Sequence, residues 1–566
     1  MDERGKEASE RLWRERARQY APVVGLYLLL TWLTGSNYMG DTVDYVAAIQ
    51  AYANGQPPSP INPFWEFGHL LWRPLGWLLS QVASPWTRAV AGADERANIL
   101  YTLIALNRFS GLLCVVLLRS LLMRFCRTRW AAEAAVAGFI LTQAFLNYFH
   151  TGCSYVPGLA LLLLGLRLLA REAANSSVWL TGTLVGLSFA GAVGLWFLYV
   201  LALPAALVFP LLLLGVSTER WRLLLIVTLV AGLAGALMYG AVMFHLEIDT
   251  LAELKSWVAG ASHGLLLGGV SRMIYGFARS FIDLGNYGVA LKRFLLHDPY
   301  HPVSLVELFR ASLWKLMLFY FFLAAMLFNL WRAERGRQLL LLLVAGGLPV
   351  IGFACFWSGT VTERYLPLFP FLFLALAVTL ERAGRAFKLL ALVFVVAVAF
   401  TNFGILSRWQ LARQEAAGER RTSDLRAASL PETPYSMVIV VQDNDLRHFG
   451  RDFPFNPVNR KLGFYTAALL GSDDAPVWRQ NLAKKVFKVW GEGGAVWFSR
   501  RLLSAMPRAE WDWIEGSDQS VAWTDFPAFF SQLETVRAVG GDDGFLLVPP
   551  SPWNRQFLGG FADERP

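Results

Sequence analysis

Residues 20–45 read YAPVVGLYLLLTWLTGSNYMGDTVDY, an apolar run from Tyr20 to Gly35 that gives way to a polar turn and two carboxylates, Asp41 and Asp44. About 20 apolar residues cross the hydrocarbon layer of a bilayer, so the run reads as a membrane helix with acidic groups just past its end. The segment before it, MDERGKEASERLWRERAR, is charged like the start of a secretory signal. No small-x-small cleavage site follows, and an uncleaved first helix is expected.

Working outward, similar runs recur at about 98–121, 131–149, 154–170, 178–194, 196–215, 222–244, 311–331, 338–356, 364–381 and 387–406, making about eleven transmembrane helices. The stretch 178–215 could be one kinked helix, but the charges favour two that turn near Gly194. If the N-terminus is cytoplasmic, the inner turns should collect Lys and Arg. They do so at Arg124/Arg127/Arg129, Arg171, Arg220/Arg222, Arg332/Arg335/Arg337 and Arg382/Arg385/Lys388, whereas the turns at 150–153 and 357–360 carry none. The expected setting is a bacterial inner membrane, with the segment after residue 406 on the periplasmic side.

Composition excludes a soluble class for most of the chain. Of 566 residues, 55% are hydrophobic and 16% charged, against about 25% charged in soluble domains. Mean hydropathy is +0.41 and the formal net charge +9. The 22 Trp and 17 Tyr suit the wet edges of a bilayer. Membrane lipids are the expected surroundings, and no nucleic-acid partner is expected. Cys114, Cys126, Cys153 and Cys355 lie in or beside apolar segments; a Cys153–Cys355 bridge is one option, and no spacing suggests zinc.

Two outer loops are long, at about 37–98 and 245–310. Their interrupted apolar segments, 62–82 and 264–296, predict helices lying along the membrane surface. Residues 1–406 thus form an all-α polytopic membrane domain. Residues 407–566 suggest a small extracytoplasmic α/β domain, with a clear strand at 436–441, weaker ones at 495–498 and 545–548, and helices at 476–489 and 499–506.

Three outer stretches could carry chemistry. In a helix over 41–54, Asp41 and Asp44 share a face. A carboxylate there can act as a general base toward an acceptor hydroxyl, or Asp41 can simply cap the helix. Next, PFWEFGHLLWRPLGW (63–77) spaces Glu66, His69 and Arg73 at i, i+3 and i+7 along an apolar helix. Such a stripe needs a polar partner. The arginine fork suits a lipid-linked phosphate, or it pairs with Glu66 while His69 packs. The second loop holds His263, Arg272, Tyr275, Arg279, Asp283, Lys292, Arg293, His297, Asp298, Tyr300 and His301. They could clamp a phosphate or only neutralise headgroups. Third, WSGTVTERYLPLFP (357–370) puts Glu363, Arg364 and Tyr365 at the mouth of a late helix, for snorkelling or for facing the same cavity.

Together these stretches resemble the GT-C superfamily of membrane glycosyltransferases, especially lipid A aminoarabinose transferases and protein O-mannosyltransferases. That family carries an acidic residue after its first helix, typically as Asp-Glu-x-x-Tyr, and Asp41 and Tyr45 fall in register, with Thr42 in place of the second acid. A Lys-Pro-Pro-Leu-x-x-Trp motif is similar to Arg73-Pro74-Leu75-Gly76-Trp77, and an Arg-Tyr-x-x-Pro-x-x-Pro entrance to Arg364-Tyr365 through Pro370. The resemblance covers about residues 20–406; the tail resembles no module.

What it implies is an inverting transferase that moves a sugar from a polyprenyl-phosphate donor to a glycan, lipid or protein acceptor. Asp41 would be the base, with Asp44 the substitute. Arg73, Arg272, Arg279 and Arg364 would hold the donor phosphate. Tyr45, Glu66, His69, His263, Glu363 and Tyr365 would line the pocket. No cofactor or metal is expected, unless a pyrophosphate donor brings a divalent cation. A lipid-linked glycan flippase or transporter, or an O-antigen-type polymerase or ligase, is the alternative; neither needs Asp41.

Overall fold

Where apolar side chains recur without interruption, the chain closes its backbone hydrogen bonds within helices, as a lipid environment requires. The computed structural model describes residues 19–34, 41–55, 63–91, 95–170, 177–260, 269–284, 291, 294, 303–406, 436–440, 462–466, 478–491, 493–504, 525–536, 538–539 and 545–562. Its first unit is Met1–Arg408 and its second Trp409–Pro566.

In the first unit, α1 is Gln19–Leu33 and α2 is Thr42–Ala53, followed by α3 (Trp72–Ala91), α4 (Glu95–Leu122), α5 (Arg129–Ile140) and α6 (Gln143–Tyr148). Then come α7 (Tyr155–Leu169), α8 (Val178–Leu195), α9 (Phe197–Leu214), α10 (Thr218–His245), α11 (Leu251–Gly260) and α12 (Val270–Arg279). Last are α13 (Leu305–Arg332), α14 (Gly336–Phe356), α15 (Thr362–Arg382) and α16 (Arg385–Leu406). Every apolar run of the sequence therefore carries helix. Eight of these helices are long and apolar enough to cross a membrane, namely α4, α8, α9, α10, α13, α14, α15 and α16; α1 and α7 are shorter. The stretch 178–215 is two elements, parted where Trp196 turns extended (φ −152°, ψ 112°).

The run at 131–149 is broken, and the break positions the site. Leu141 ends α5, and the Thr142 hydroxyl caps α6 by accepting from Phe145 N–H. The loose backbone groups find partners across the fold: Gln143 N–H donates to Phe281 O and Ala144 N–H to Ser280 O. Asn402 of α16 donates to Leu141 O (2.8 Å) and Phe281 O (2.7 Å), while its Oδ1 accepts from Asp283 N–H (2.7 Å). An interrupted helix is tolerated inside a membrane protein when its freed groups are met in this way.

Residues 62–82 do not form one helix. Glu66 is extended (φ −88°, ψ 133°), Phe67–His69 make a single 3₁₀ turn, and α3 starts only at Trp72. The expected stripe of Glu66, His69 and Arg73 on one helix face is therefore wrong, though the fold gathers these residues by another route. In the second outer loop α12 buries Tyr275, Phe277, Ala278 and Arg279. His263, Lys292, Arg293, His297, Asp298, Tyr300 and His301 lie outside the described residues. All four cysteines are free, so the Cys153–Cys355 bridge is not formed.

In the second unit, five strands, β1 (Ser436–Val440), β2 (Leu462–Thr466), β3 (Val496–Ser499), β4 (Ala538–Val539) and β5 (Phe545–Val548), make one sheet of order β2-β1-β3-β5-β4. The β2-β1-β3 portion is parallel, and β5 joins β3 and β4 antiparallel. Helices α17 (Trp478–Gly491), α18 (Asp525–Phe530) and α19 (Pro552–Ala562) contribute Trp478, Leu482, Val486, Phe526, Phe529 and Leu558 to a core shared with Met437, Ile439 and Phe498. Of the helix expected at 499–506, the described residues form a 3₁₀ turn, Arg500–Leu503, capped by Ser499 accepting from Arg501 N–H.

Candidate active site

The site assembles around the short turn between α6 and α7. Four contacts clasp that turn: the Thr42 hydroxyl accepts from Gly152 N–H (3.0 Å), Trp72 Nε1–H donates to Gly152 O (2.9 Å), Asn107 donates to Cys153 O (2.7 Å), and the Thr42 hydroxyl touches Cys153 Sγ (3.5 Å). A Cβ on Gly152 would lie 2.7 Å from the Thr42 methyl group, so glycine is needed for this approach. Thr42 stands where the resembling family has an acid, and here it is buried and bound to backbone.

Asp41 occupies the N-cap position of α2, yet its side chain makes no capping hydrogen bond. Its Oδ2 accepts instead from two phenols, Tyr45 at 3.0 Å and Tyr155 at 2.8 Å. Simple helix capping is thus not what this carboxylate does. Asp44 is exposed in the first turn of α2, where its charge favours the positive end of the helix dipole.

Burial, then the nearby negative charges of Asp41 and Glu66, pushes the Tyr45 phenol well above its ordinary value, so it remains a donor. Burial likewise holds His69 below the ordinary imidazole value, against the opposing pull of Glu66 and Asp41. Its Nδ1 lies 2.7 Å from Ser154 Oγ and 3.3 Å from Leu195 O. The Cys153 thiol is pushed up to about 12, first by burial and then by Asp41, which keeps it protonated.

A second carboxylate stands close by. Glu363 is buried at the start of α15 and accepts from the Tyr148 hydroxyl. Tyr148 and Tyr155 meet edge to face with centroids 4.8 Å apart, and Trp196 packs on the other side of Tyr155 at 4.8 Å. Beside Glu363, the half-buried Arg364 places its guanidinium 4.1 Å from the ring centre of Trp357. The site therefore has an acidic side at Asp41 and Glu363, with a cation at Arg364 next along the chain.

The remaining expected residues are framework. Arg73 is 1% exposed, pairs with Glu66 at 2.7 Å, donates to Pro63 O and packs 5.2 Å from the Tyr45 ring centre. It has no exposed face to offer a phosphate. Arg279 is also buried and donates to Thr360 O (3.2 Å), whereas Arg272 on α12 is half-buried. Tyr365 is fully buried, its hydroxyl directed at Met273 O (3.0 Å) and Gly359 O (2.6 Å), so it staples α12 to the turn before α15. Tyr148, Ser154, Tyr155 and Trp196 were not singled out in the sequence. Their segments carry no charge, and tyrosines bordering an apolar run read as membrane-edge packing.

This arrangement of helices is shared with solved structures. Among solved structures, the chain is similar to that of ArnT from Cupriavidus metallidurans in the apo state, with a TM-score of 0.51 and 13% identity over 95% of this chain and 98% of that one. The same protein bound to undecaprenyl phosphate gives a TM-score of 0.51 and 12% identity over 94% of this chain and 97% of that one. The Archaeoglobus fulgidus oligosaccharyltransferase gives a TM-score of 0.46 and 14% identity over 89% of this chain and 72% of that one. No protein-family model and no curated protein matches the sequence.

Proposed function

We propose that the protein is an inverting glycosyltransferase that takes a sugar from a polyprenyl-phosphate donor and passes it to an acceptor at the outer face of the membrane. The observation that carries this reading is the state of Asp41: a carboxylate at a helix start that forgoes capping, is held by two phenols, and is linked through Tyr155 and Tyr148 to a second acid, Glu363, with Arg364 beside it in the chain. The GT-C fold and the crystal structure of ArnT with undecaprenyl phosphate support the choice of donor class.

In the reaction, Asp41 takes the proton of an acceptor hydroxyl or amine as the acceptor's lone pair attacks the anomeric carbon. A new bond forms to that carbon, the carbon–oxygen bond to phosphate breaks on the opposite face, and its electron pair leaves on the lipid phosphate. Arg364 lowers the cost of the charge that develops there. Arg73, committed to Glu66 and packed against the Tyr45 ring, supports Tyr45 instead of touching the donor. The test is sugar transfer in proteoliposomes from a panel of labelled polyprenyl-phosphate sugars, with the product's anomeric configuration read by NMR. Inverted product supports the reading; retained configuration, or no transfer from any donor, contradicts it.

A further inference from the structure

We infer that Tyr155 and Tyr148 are positioning residues that fix which oxygen of Asp41 does the chemistry, and that Glu363 acts on Asp41 through them. The inference rests on Asp41 being the base of the proposed transfer. Both phenols that reach Asp41 donate to the same atom, Oδ2, from different elements: Tyr45 from the next turn of α2 and Tyr155 from the start of α7. With Oδ2 doubly occupied, Oδ1 is the oxygen left to accept the acceptor's proton, and the carboxylate is held by donors from two different elements.

Tyr155 is itself tightly held. Its main-chain carbonyl accepts from the Tyr199 hydroxyl (2.6 Å), and its ring is packed between Trp196, His69 and Tyr148. Tyr148 cannot rotate freely either, because its hydroxyl is committed to the buried Glu363. The chain of contacts Glu363–Tyr148–Tyr155–Asp41 therefore joins the mouth of α15 to the start of α2 through the clasped turn. A substrate phosphate arriving at Arg364 would bear on the residue next to Glu363 and, through the two rings, on the orientation of the base. No proton moves along this chain; each phenol keeps its own and serves as a fixed donor.

The test uses the full-length protein carrying Tyr155→Phe, which keeps the ring contacts and the main-chain bond from Tyr199 and removes only the hydroxyl. Two quantities are read. One is kcat and the donor KM of sugar transfer. The other is the Asp41 carboxylate stretch, isolated as the infrared difference between wild type and Asp41→Asn. The inference predicts a kcat lower by about 10- to 100-fold, the scale of one hydrogen bond to a charged group, with donor KM changed by less than about twofold and a shifted Asp41 band. Tyr148→Phe should shift the band less and in the same direction. An unchanged band in Tyr155→Phe, or an unchanged kcat in an active enzyme, overturns the inference. If wild type transfers nothing yet the band still shifts, the clamp stands and the transferase reading fails.

Discussion

Asp41 owes its interest to what surrounds it. A carboxylate at the start of a helix would ordinarily bond the free N–H groups of the first turn, and this one bonds two phenols instead. A similar economy governs Arg73 and Glu66, buried at 1% and 3% exposure and paired at 2.7 Å. Removing one partner strands the other's charge, so Arg73→Ala should destabilise the fold by about 3–5 kcal/mol, whereas Arg73→Met with Glu66→Leu should restore most of the loss; melting temperature in detergent reads both. Nearby His69 supplies a pH dependence of known sign. Its folded value lies below the ordinary 6.5, so above about pH 6.5 it is neutral in both states and costs nothing. As pH falls below 6.5 the unfolded chain takes up the proton first and stability drops. His69→Gln should therefore flatten the loss of melting temperature between about pH 6.5 and 5.

Among the elements, α12 is closely fitted to the turn before α15. A Cβ on Gly276 would lie 1.7 Å from Gly359 O, so helix and turn meet backbone to backbone there; the Tyr365 hydroxyl bonds both, and Gly269 N–H just before α12 donates to Cys355 O of α14. Gly276→Ala should force α12 off the turn and cost about 1–3 kcal/mol. Gly352→Ala in α14, where a Cβ meets nothing within 4 Å, should be neutral or slightly stabilising; thermal melts of the two variants compare them directly.

These elements also show what the sequence discloses. Helices α4, α8 and α13 are legible because a membrane span is written locally, as one continuous apolar run. Asp41 was legible because it follows such a run. The break between Ile140 and Gln143 was not, since it depends on Asn402 some 260 residues on supplying the missing hydrogen bonds. Nor was the role of Arg73. An i, i+7 spacing cannot reveal that the chain turns extended at Glu66 and reaches the same pairing without a helix. Tyr148 and Tyr155 were hidden because what matters in them is a hydroxyl direction, which no pattern encodes.

At the scale of the whole molecule, the Arg-rich turns predict an orientation as well as a fold. By that expectation Asp41, Asp249 and the turn before α15 face outward, and the turn between α13 and α14 faces inward. In a background with the native cysteines replaced, a cysteine at Asp249 should react with a membrane-impermeant maleimide added from outside. One at Arg335 should react only after the membrane is permeabilised. Both positions are exposed, so burial does not confound the comparison. The reverse labelling pattern would turn the active site toward the cytoplasm and remove the basis for an extracytoplasmic acceptor.

The most direct measurement is transfer of labelled sugar from polyprenyl-phosphate donors in proteoliposomes, comparing wild type with Asp41→Asn at matched melting temperature. Turnover by the wild type should fall by about 10²- to 10⁴-fold in the variant, the scale of a lost general base. Equal turnover in the two proteins would contradict it, leaving the phenol-held carboxylate as a structural feature of a site whose base lies elsewhere.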